Sequence, residues 1–298
     1  MNLSKIFFIG LGNLGSALSI KIAEADKQLM IYDLNLQVRD EIEKKHPNFH
    51  AVDIPVGFSE TDVVLTCLPN SRDVQSVVDL AIQNSKNLES IRYWIDTTSG
   101  NPKLSEKIAA QLQEYQVDYL DCAVSGGPTG ARSGSLTAMI GGNEESFHAV
   151  KELIQSFAKN LVYLGPVGSG HAVKAVNNTL LAANILSVAE AMITLKSFDV
   201  PLEKALSAIN NSSGRSWVSQ QRFPDHVLSR TFDYGFSFDL HCKDVGTFEE
   251  MINDHDLEAL MLRNTLKTLQ DAKIQLDPNA DHLEIIKILE EKSGIKIQ

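Results

Sequence analysis

The stretch Lys5–Gly15, which reads KIFFIGLGNLG, decides the fold class of this chain. Its first five residues form a short apolar run, and glycines at positions 10, 12 and 15 follow it. A short apolar run that ends at glycine predicts a strand, and the pattern from Ser16 to Ala25 predicts a helix. Between a strand and a helix, GxGxxG indicates a turn that binds a dinucleotide.

Each glycine of this motif has its own expected task. Gly10 permits a tight turn, Gly12 lets the backbone approach a pyrophosphate, and Gly15 lets the helix pack closely. The helix N-terminus then offers amide donors and a partial positive charge to the phosphates. The alternative is an ordinary glycine turn. The predicted cofactor contacts of the motif are Gly10, Leu11, Gly12, Asn13, Leu14 and Gly15.

Asp33 follows the next strand candidate, Gln28–Tyr32. A carboxylate at this position accepts the ribose hydroxyls and repels a 2′-phosphate, so it favours NAD, with NADP still possible. The alternative is an aspartate that only forms a turn.

The rest of the first half alternates strand-like and helix-like segments. Strands are predicted at Asp62–Leu68, Tyr93–Asp96, Asp118–Val124 and Leu136–Ile140, and helices at Pro102–Tyr115 and Glu144–Lys159. This alternation predicts an α/β fold with a doubly wound, mainly parallel sheet.

The second half has a different character. After Val162–Leu164 the patterns favour helices: Gly168 to about Phe198, one from Pro201, Asp244–Asn253 and Leu257–Asp271. We therefore predict a dinucleotide-binding domain over residues 1–164 and an all-helical substrate and oligomerisation domain over residues 165–298.

Composition excludes several classes of function. The 298 residues carry a formal net charge of −11, which argues against a nucleic-acid surface. The three cysteines are far apart and lack CxxC spacing, so neither a disulfide framework nor a metal site is expected, and a cytoplasmic location fits best. The apolar run Ile6–Leu11 is too short for a signal peptide. Thr179–Leu195 is apolar but contains polar residues, which favours a buried helix over a membrane span.

Two further segments have the composition of a substrate site. Ser125-Gly126-Gly127 follows a strand candidate, and small residues there can turn backbone N–H groups toward a carboxylate, although a plain turn is the alternative. On the predicted helix, Gly170, Lys174 and Asn178 share one face. We expect Gly170 to leave room for a ligand beside Lys174. The alternative is a lysine that snorkels from a buried helix.

Taken in order, these motifs resemble the β-hydroxyacid dehydrogenase family over nearly the whole chain. The motifs are the glycine loop, Cys67-Leu68-Pro69, Asp96-Thr97-Thr98, Asp121–Gly127, Gly168–Asn178 and Lys243-Asp244. The resemblance implies a Rossmann domain followed by an all-α domain with a long central helix. It also implies hydride transfer between NAD(P) and a small β-hydroxy acid such as 3-hydroxyisobutyrate.

The resemblance assigns roles to individual residues. It implies cofactor contacts at Leu68, Pro69 and Thr98, with Leu68 and Thr98 near the nicotinamide and its ribose. Ser125, Gly126 and Gly127 would hold the substrate carboxylate, Lys174 would be the general acid and base, and Asn178 would contact the substrate. Lys243 would close over the cofactor or substrate, and Asp244 would orient the segment around Lys243.

Some alternatives remain open at this point. The chain is also compatible with an NADPH-dependent reductase of small semialdehydes or glyoxylate, or with a non-catalytic NAD-binding protein. Lys174 argues against the related imine reductases, which usually lack that lysine. We interpret His171 and His241 as packing or supporting residues. A homodimer or homotetramer is expected by resemblance.

Overall fold

The structure of the chain is a computed structural model that describes residues 3, 5–25, 27–83 and 88–298, except for the side chain of Pro128. The chain divides into two compact units, Met1–Lys174 and Ala175–Gln298. This division falls inside a long helix. The predicted boundary at Leu164 lies one residue after the last strand, at the end of the sheet.

The first unit is built on one sheet. Its eight strands are β1 (Lys5–Ile9), β2 (Gln28–Tyr32), β3 (Phe49–Ala51), β4 (Val63–Thr66), β5 (Tyr93–Asp96), β6 (Asp118–Ser125), β7 (Leu136–Gly141) and β8 (Ala158–Tyr163). Their spatial order is β3-β2-β1-β4-β5-β6-β7-β8. β6 and β7 are antiparallel, and every other neighbouring pair is parallel.

Helices connect these strands. They are α1 (Asn13–Glu24), α2 (Leu36–Lys45), α3 (Ile54–Ser59), α4 (Ser71–Gln83), α5 (Pro102–Gln113), α6 (Gly127–Ser133) and α7 (Glu144–Gln155). β1 shows why the sheet is covered on both faces, because Ile6 and Phe8 join one apolar cluster while Phe7 and Ile9 join another. A parallel strand that is buried on both sides needs this continuous apolar run.

The second unit is helical. α8 (Ser169–Ser197) begins in the first unit and continues into the second, where α9 (Leu202–Asn210), a π-helical segment (Val218–Leu228), α10 (Phe238–Asp254), α11 (Leu260–Lys273), a 3₁₀ turn (His282–Glu284) and α12 (Ile285–Ser293) follow. The α8 residues Ala182, Ile185, Ala189 and Met192 are part of the apolar core of this unit. By length and composition alone α8 could cross a membrane, and 44% of its most apolar window is buried within the protein.

The predicted α/β architecture with a helical second part and a long helix is confirmed. The predicted bounds of β1, β2 and β5 match the structure. Several predicted helices differ from the structure by two or three residues at an end, and two predicted helices differ by more. The helix predicted over Glu144–Lys159 ends at Gln155, because Ala158 pairs with Leu136 and begins β8. The helix predicted from Asp244 begins at Phe238, where the Ser237 hydroxyl accepts a hydrogen bond from the Leu240 amide.

Candidate active site

The glycine loop lies between β1 and α1, and α1 begins inside the motif at Asn13. Gly10 has a φ of +98°, and a Cβ on it would lie 2.3 Å from the Cys67 carbonyl oxygen. A Cβ on Gly15 would lie 2.0 Å from the Gly10 carbonyl oxygen. Both glycines are therefore required by close backbone packing. Cys67 follows β4, so the loop after β1 lies against the end of the neighbouring strand β4. The strand order reverses between β1 and β4, and ligands of such sheets usually bind in the crevice at this point.

Gly12 differs from the other two glycines. A Cβ on Gly12 would meet nothing within 4 Å, and no side chain caps α1 at this N-cap position. Open space above uncapped helix amides suits a phosphate group. The loop therefore fits the pyrophosphate of a dinucleotide.

Asp33 is bound to this loop by main-chain hydrogen bonds. Its Oδ2 accepts from the Leu11 amide at 2.7 Å, and its Oδ1 accepts from the Asn35 amide at 2.8 Å. Each carboxylate oxygen has two lone pairs, so each can still accept a ribose hydroxyl. The structure thus brings Asp33 and the glycine loop together, in an arrangement that fits the adenosine ribose.

Leu68 and Thr98 are also brought together. The Leu68 amide donates to the Thr98 hydroxyl at 3.0 Å, and the Thr98 amide donates to the buried Asp96 carboxylate at 3.1 Å. Pro69 follows Leu68 and is exposed. Leu68 Cδ2 would lie 2.9 Å from a Cβ on Gly10, so this pair adjoins the glycine loop. Burial raises the pKa of the neighbouring Cys67 thiol to about 11.

Ser125 is the last residue of β6, and Gly126 and Gly127 follow it with φ values of +129° and +62°. Ser125 and Gly127 are half-buried and Gly126 is exposed. Consecutive residues with positive φ favour glycine, which explains the residue types. The backbone therefore turns sharply at the end of the strand, while the predicted hold on a carboxylate stays a prediction.

The first turn of α8 is fixed by Asp121, a fully buried residue of β6. Its Oδ1 accepts from the Gly168 amide at 2.7 Å, and its Oδ2 accepts from the His171 amide at 2.8 Å. A Cβ on Gly170 would lie 2.3 Å from the Met139 carbonyl oxygen and 2.8 Å from Asp121 Oδ2. The prediction that Gly170 leaves room for a ligand is wrong, because protein atoms fill that space.

Lys174 lies on α8, three residues after His171, and is half-buried. His171 is fully buried, as its interpretation as a packing or supporting residue requires. Its ring Nδ1 lies 2.7 Å from the Ser105 hydroxyl. Sequence reasoning assigned no role to Asp121 or Ser105. The Asp121–Gly127 motif was the available signal, but a sequence does not show which amides that carboxylate accepts from.

In the second unit the structure brings Asn178, Lys243 and Asp244 together. The Asn178 side-chain amide donates to Asp244 Oδ2 at 2.6 Å, and Lys243 Nζ lies 2.8 Å from Asp244 Oδ1. Asn178 and Asp244 are buried, whereas the Lys243 side chain is 29% exposed. His241 Nε2 lies 3.0 Å from the Asn178 carbonyl oxygen. Asp244 therefore binds the Lys243 side chain directly, and its orienting role stays a prediction.

The sheet order, the glycine turn and the carboxylate after β2 together define a dinucleotide-binding protein of the Rossmann class. Comparison with known proteins sharpens this class. Residues 5–165 match the family model of the NAD-binding domain of 6-phosphogluconate dehydrogenase. Residues 168–289 match the model of the NAD-binding domain of NADP-dependent 3-hydroxyisobutyrate dehydrogenase.

Individual proteins agree with these models. 2-(Hydroxymethyl)glutarate dehydrogenase of Eubacterium barkeri is 28% identical over 98% of this chain and 97% of its own length. Mitochondrial 3-hydroxyisobutyrate dehydrogenase of Mus musculus is 33% identical over 82% of this chain and 74% of its own length. The solved structure of Mycobacterium tuberculosis 3-hydroxyisobutyrate dehydrogenase with L-serine superposes with a TM-score of 0.88 at 22% identity, and covers 97% of this chain and 99% of that one.

The chain belongs to the β-hydroxyacid dehydrogenase family. It is an NAD(P)-dependent enzyme that transfers a hydride at the CH–OH group of a small hydroxy acid. The alternative of a non-catalytic NAD-binding protein is therefore set aside.

Proposed function

We propose that the enzyme oxidises a β-hydroxy acid of the 3-hydroxyisobutyrate class with NAD⁺, and that Lys174 takes the hydroxyl proton. The observation that carries the proposal is that β6 contributes to two parts of the predicted site. Asp121 of this strand fixes the first turn of the helix that bears Lys174, and the same strand ends at Ser125. The predicted carboxylate turn and the predicted proton acceptor are thus fixed to one strand.

Each residue has a defined part in the reaction. The Ser125–Gly127 backbone holds the substrate carboxylate, and Asn178 and Lys243 contact the substrate, with Lys243 also contacting the cofactor. Lys174 Nζ accepts the alcohol proton during oxidation and returns it when the aldehyde is reduced. The nicotinamide, when bound, supplies the hydride acceptor. A cationic group near the alcohol oxygen also stabilises the developing alkoxide.

The cofactor preference is part of the same proposal. Asp33 accepts hydrogen bonds from the Leu11 amide of the glycine loop and from the Asn35 amide beyond β2, which fixes its carboxylate beside the loop. A 2′-phosphate on the adenosine ribose would lie close to a carboxylate in this position. Like charges in contact disfavour binding. The other candidate is a reductase of small semialdehydes or glyoxylate that uses NADPH. It is disfavoured because the Asp33 carboxylate would repel the 2′-phosphate of NADPH.

The test is a substrate panel with purified enzyme, followed by NADH or NADPH absorbance. The panel contains 3-hydroxyisobutyrate, glycerate, serine, threonate and 4-hydroxybutyrate, each with NAD⁺ and NADP⁺. We expect turnover of 3-hydroxyisobutyrate with NAD⁺ preferred. Preference for NADP⁺ with glyoxylate or tartronate semialdehyde in the reverse direction would instead support the reductase.

Lys174→Ala tests the proton-transfer role. Loss of a general acid or base lowers kcat by about 100- to 10,000-fold, whereas NADH binding, measured by fluorescence titration, should persist. The exposed Lys159 of β8 offers a matched control, and Lys159→Ala should leave kcat unchanged. Turnover by Lys174→Ala at the rate of the unsubstituted enzyme would overturn the assignment.

We also infer a cytoplasmic homodimer or homotetramer that binds neither nucleic acid nor membranes. Exposed apolar side chains on and after α8, including Leu180 and Phe198, support self-association. The net charge of −11 disfavours nucleic acid. Light scattering on a sizing column tests the oligomer, since a monomer at micromolar concentration would contradict it.

A further inference from the structure

A chain of buried polar side chains runs between β5 and the first turn of α8. The Tyr119 hydroxyl donates to Asp96 Oδ2 at 2.8 Å and also contacts the Ser105 hydroxyl. The Ser105 hydroxyl lies 2.7 Å from His171 Nδ1. Asp96, Ser105 and His171 are fully buried, and Tyr119 nearly so. This series of side chains therefore starts at Asp96, whose carboxylate accepts a hydrogen bond from the Thr98 amide, and ends at His171, one helix turn before Lys174.

Ser105 connects these side chains to α5. Its hydroxyl lies 3.0 Å from the Asn101 carbonyl oxygen and 2.7 Å from His171 Nδ1. The hydrogen bond between Ser105 and His171 joins α5 to α8, whichever of the two groups donates the proton.

The His171 ring also packs against the loop that follows β5. A Cβ on Gly100 would lie 2.5 Å from His171 Nδ1 and Cε1, so glycine is needed where the ring meets the loop. Gly100 is two residues after Thr98, whose hydroxyl accepts from Leu68. The Asn101 amide donates to Ser71 at the start of α4. The ring therefore touches the segment that carries the predicted nicotinamide-side residues.

We propose that His171 is a positioning residue for Lys174, an inference that rests on the proposed function. Asp121 fixes the main chain of the first α8 turn, and the His171 ring fixes the same turn to Gly100 and Ser105. Lys174 follows one turn later, about 4.5 Å along the helix axis. This attachment sets the distance between Lys174 and the Thr98 side of the site. That distance matters for turnover, because a displacement of about 1 Å can lower a rate about 100-fold.

Two substitutions at position 171 separate positioning from packing. His171→Leu fills the space but removes the hydrogen-bond partner of Ser105, whereas His171→Asn keeps a side-chain amide that can donate or accept a hydrogen bond. We expect kcat to fall about 10- to 100-fold in His171→Leu with KM for NAD⁺ within about 3-fold, and His171→Asn to recover most of kcat. Equal kcat losses in the two variants, or a loss seen only in KM, would overturn the proposal.

A pair of serine variants covers the case in which His171→Leu does not fold. Ser105→Ala removes the hydrogen-bond partner of the His171 ring. Ser146→Ala removes another buried hydroxyl of the same unit, which donates to Asp118 at 2.6 Å. Ser105→Ala should lower kcat about 10-fold while Ser146→Ala leaves it unchanged. Equal kcat values for the two serine variants would count against positioning.

A double-mutant cycle distinguishes this inference from the proposed function. His171→Leu is combined with Lys174→Ala, and the residual turnover is measured by product accumulation. If His171 acts through Lys174, the second substitution adds less than about 3-fold. If His171→Leu lowers kcat by the same factor in the presence and in the absence of Lys174, His171 does not act through Lys174, and the proposed function is unaffected. Full activity of Lys174→Ala would instead refute the proposed function.

Discussion

The two units bury polar side chains in different ways. In the first, half-buried Asp33 follows β2, buried Asp96 ends β5 and buried Asp121 lies within β6, and each accepts a hydrogen bond from at least one main-chain amide. In the second, buried basic groups occur beside the buried acids, and Arg222 and His282 lie in contact with each other. Arg222 donates to His282 Nε2 and stacks on Tyr234, with its guanidinium carbon 3.9 Å from the ring centroid.

This difference decides how each region responds to pH. The main-chain amides that donate to Asp33, Asp96 and Asp121 do not titrate in the ordinary pH range. In the second unit, burial lowers the pKa of His282, and nearby Arg222 lowers it further, although Asp281 acts in the opposite direction. Burial also lowers the pKa of Arg222. The second unit therefore contains a buried histidine whose protonation would lower the stability of the fold.

The largest expected effect is on Asp121. Asp121→Ala leaves two buried amides at the start of α8 without an acceptor, and should lower the free energy of unfolding by about 3 kcal/mol. Asp118→Ala, in the same strand, removes the acceptor of one serine hydroxyl and should cost about 1 kcal/mol. Urea unfolding followed by circular dichroism measures both. Equal losses would mean that the amides of α8 do not depend on Asp121.

Asp33 tests whether a carboxylate held by amides also selects the cofactor. Asp33→Asn keeps one acceptor oxygen and removes the charge, so the ratio of KM for NADP⁺ to KM for NAD⁺ should fall about 10-fold. Asp53→Asn is the control, because Asp53 is exposed and pairs with Arg39. If Asp33→Asn does not change this ratio of KM values, the Asp33 carboxylate does not determine the preference for NAD⁺.

His282 tests the basic cluster of the second unit. A histidine whose folded-state pKa is depressed contributes stability above its unfolded pKa, near 6.5, and that stability is lost as the pH falls. Between pH 7.5 and 5.5 the loss should be about 1 kcal/mol and should be smaller in His282→Gln. Calorimetric melting at both pH values measures this. The exposed His255→Gln should keep the slope of the unsubstituted enzyme.

The smallest expected effect concerns thiol reactivity. Burial raises the pKa of Cys67 and of Cys242 to about 11, so both remain thiols at pH 8. Only a thiolate reacts readily, so iodoacetamide should label the folded chain at least about 100-fold more slowly than the urea-unfolded chain. Mass spectrometry of the labelled peptides assigns the sites. Rapid labelling of Cys67 alone would show that the glycine loop opens.

The sequence predicted the elements whose signal is local. β1, β2 and β5 are short apolar runs, and their bounds were correct. β3 and α2 were not predicted, because β3 has three residues and α2 is mostly polar with Ile42 as its buried residue. α10 was placed too late because its start depends on the Ser237 cap.

The same division applies to the site. The glycine loop and Asp33 were found from spacing along the chain. The bonds from Asp121 to Gly168 and from Ser105 to His171 join residues 47 and 66 positions apart, and no spacing rule covers them. Gly170 was misjudged for the same reason, since the atoms that exclude a side chain there belong to distant strands.

The three glycines of the loop have a consequence for reading a mutational scan of this gene. Variants at Gly10 and Gly15 should disappear from a screen for soluble, folded protein, because a side chain there overlaps backbone atoms. Small side chains at Gly12 should pass that screen and fail one for retention on immobilised cofactor. One six-residue signature would then split into two genetic classes, and Gly12 would be the position for a folded control that lacks cofactor.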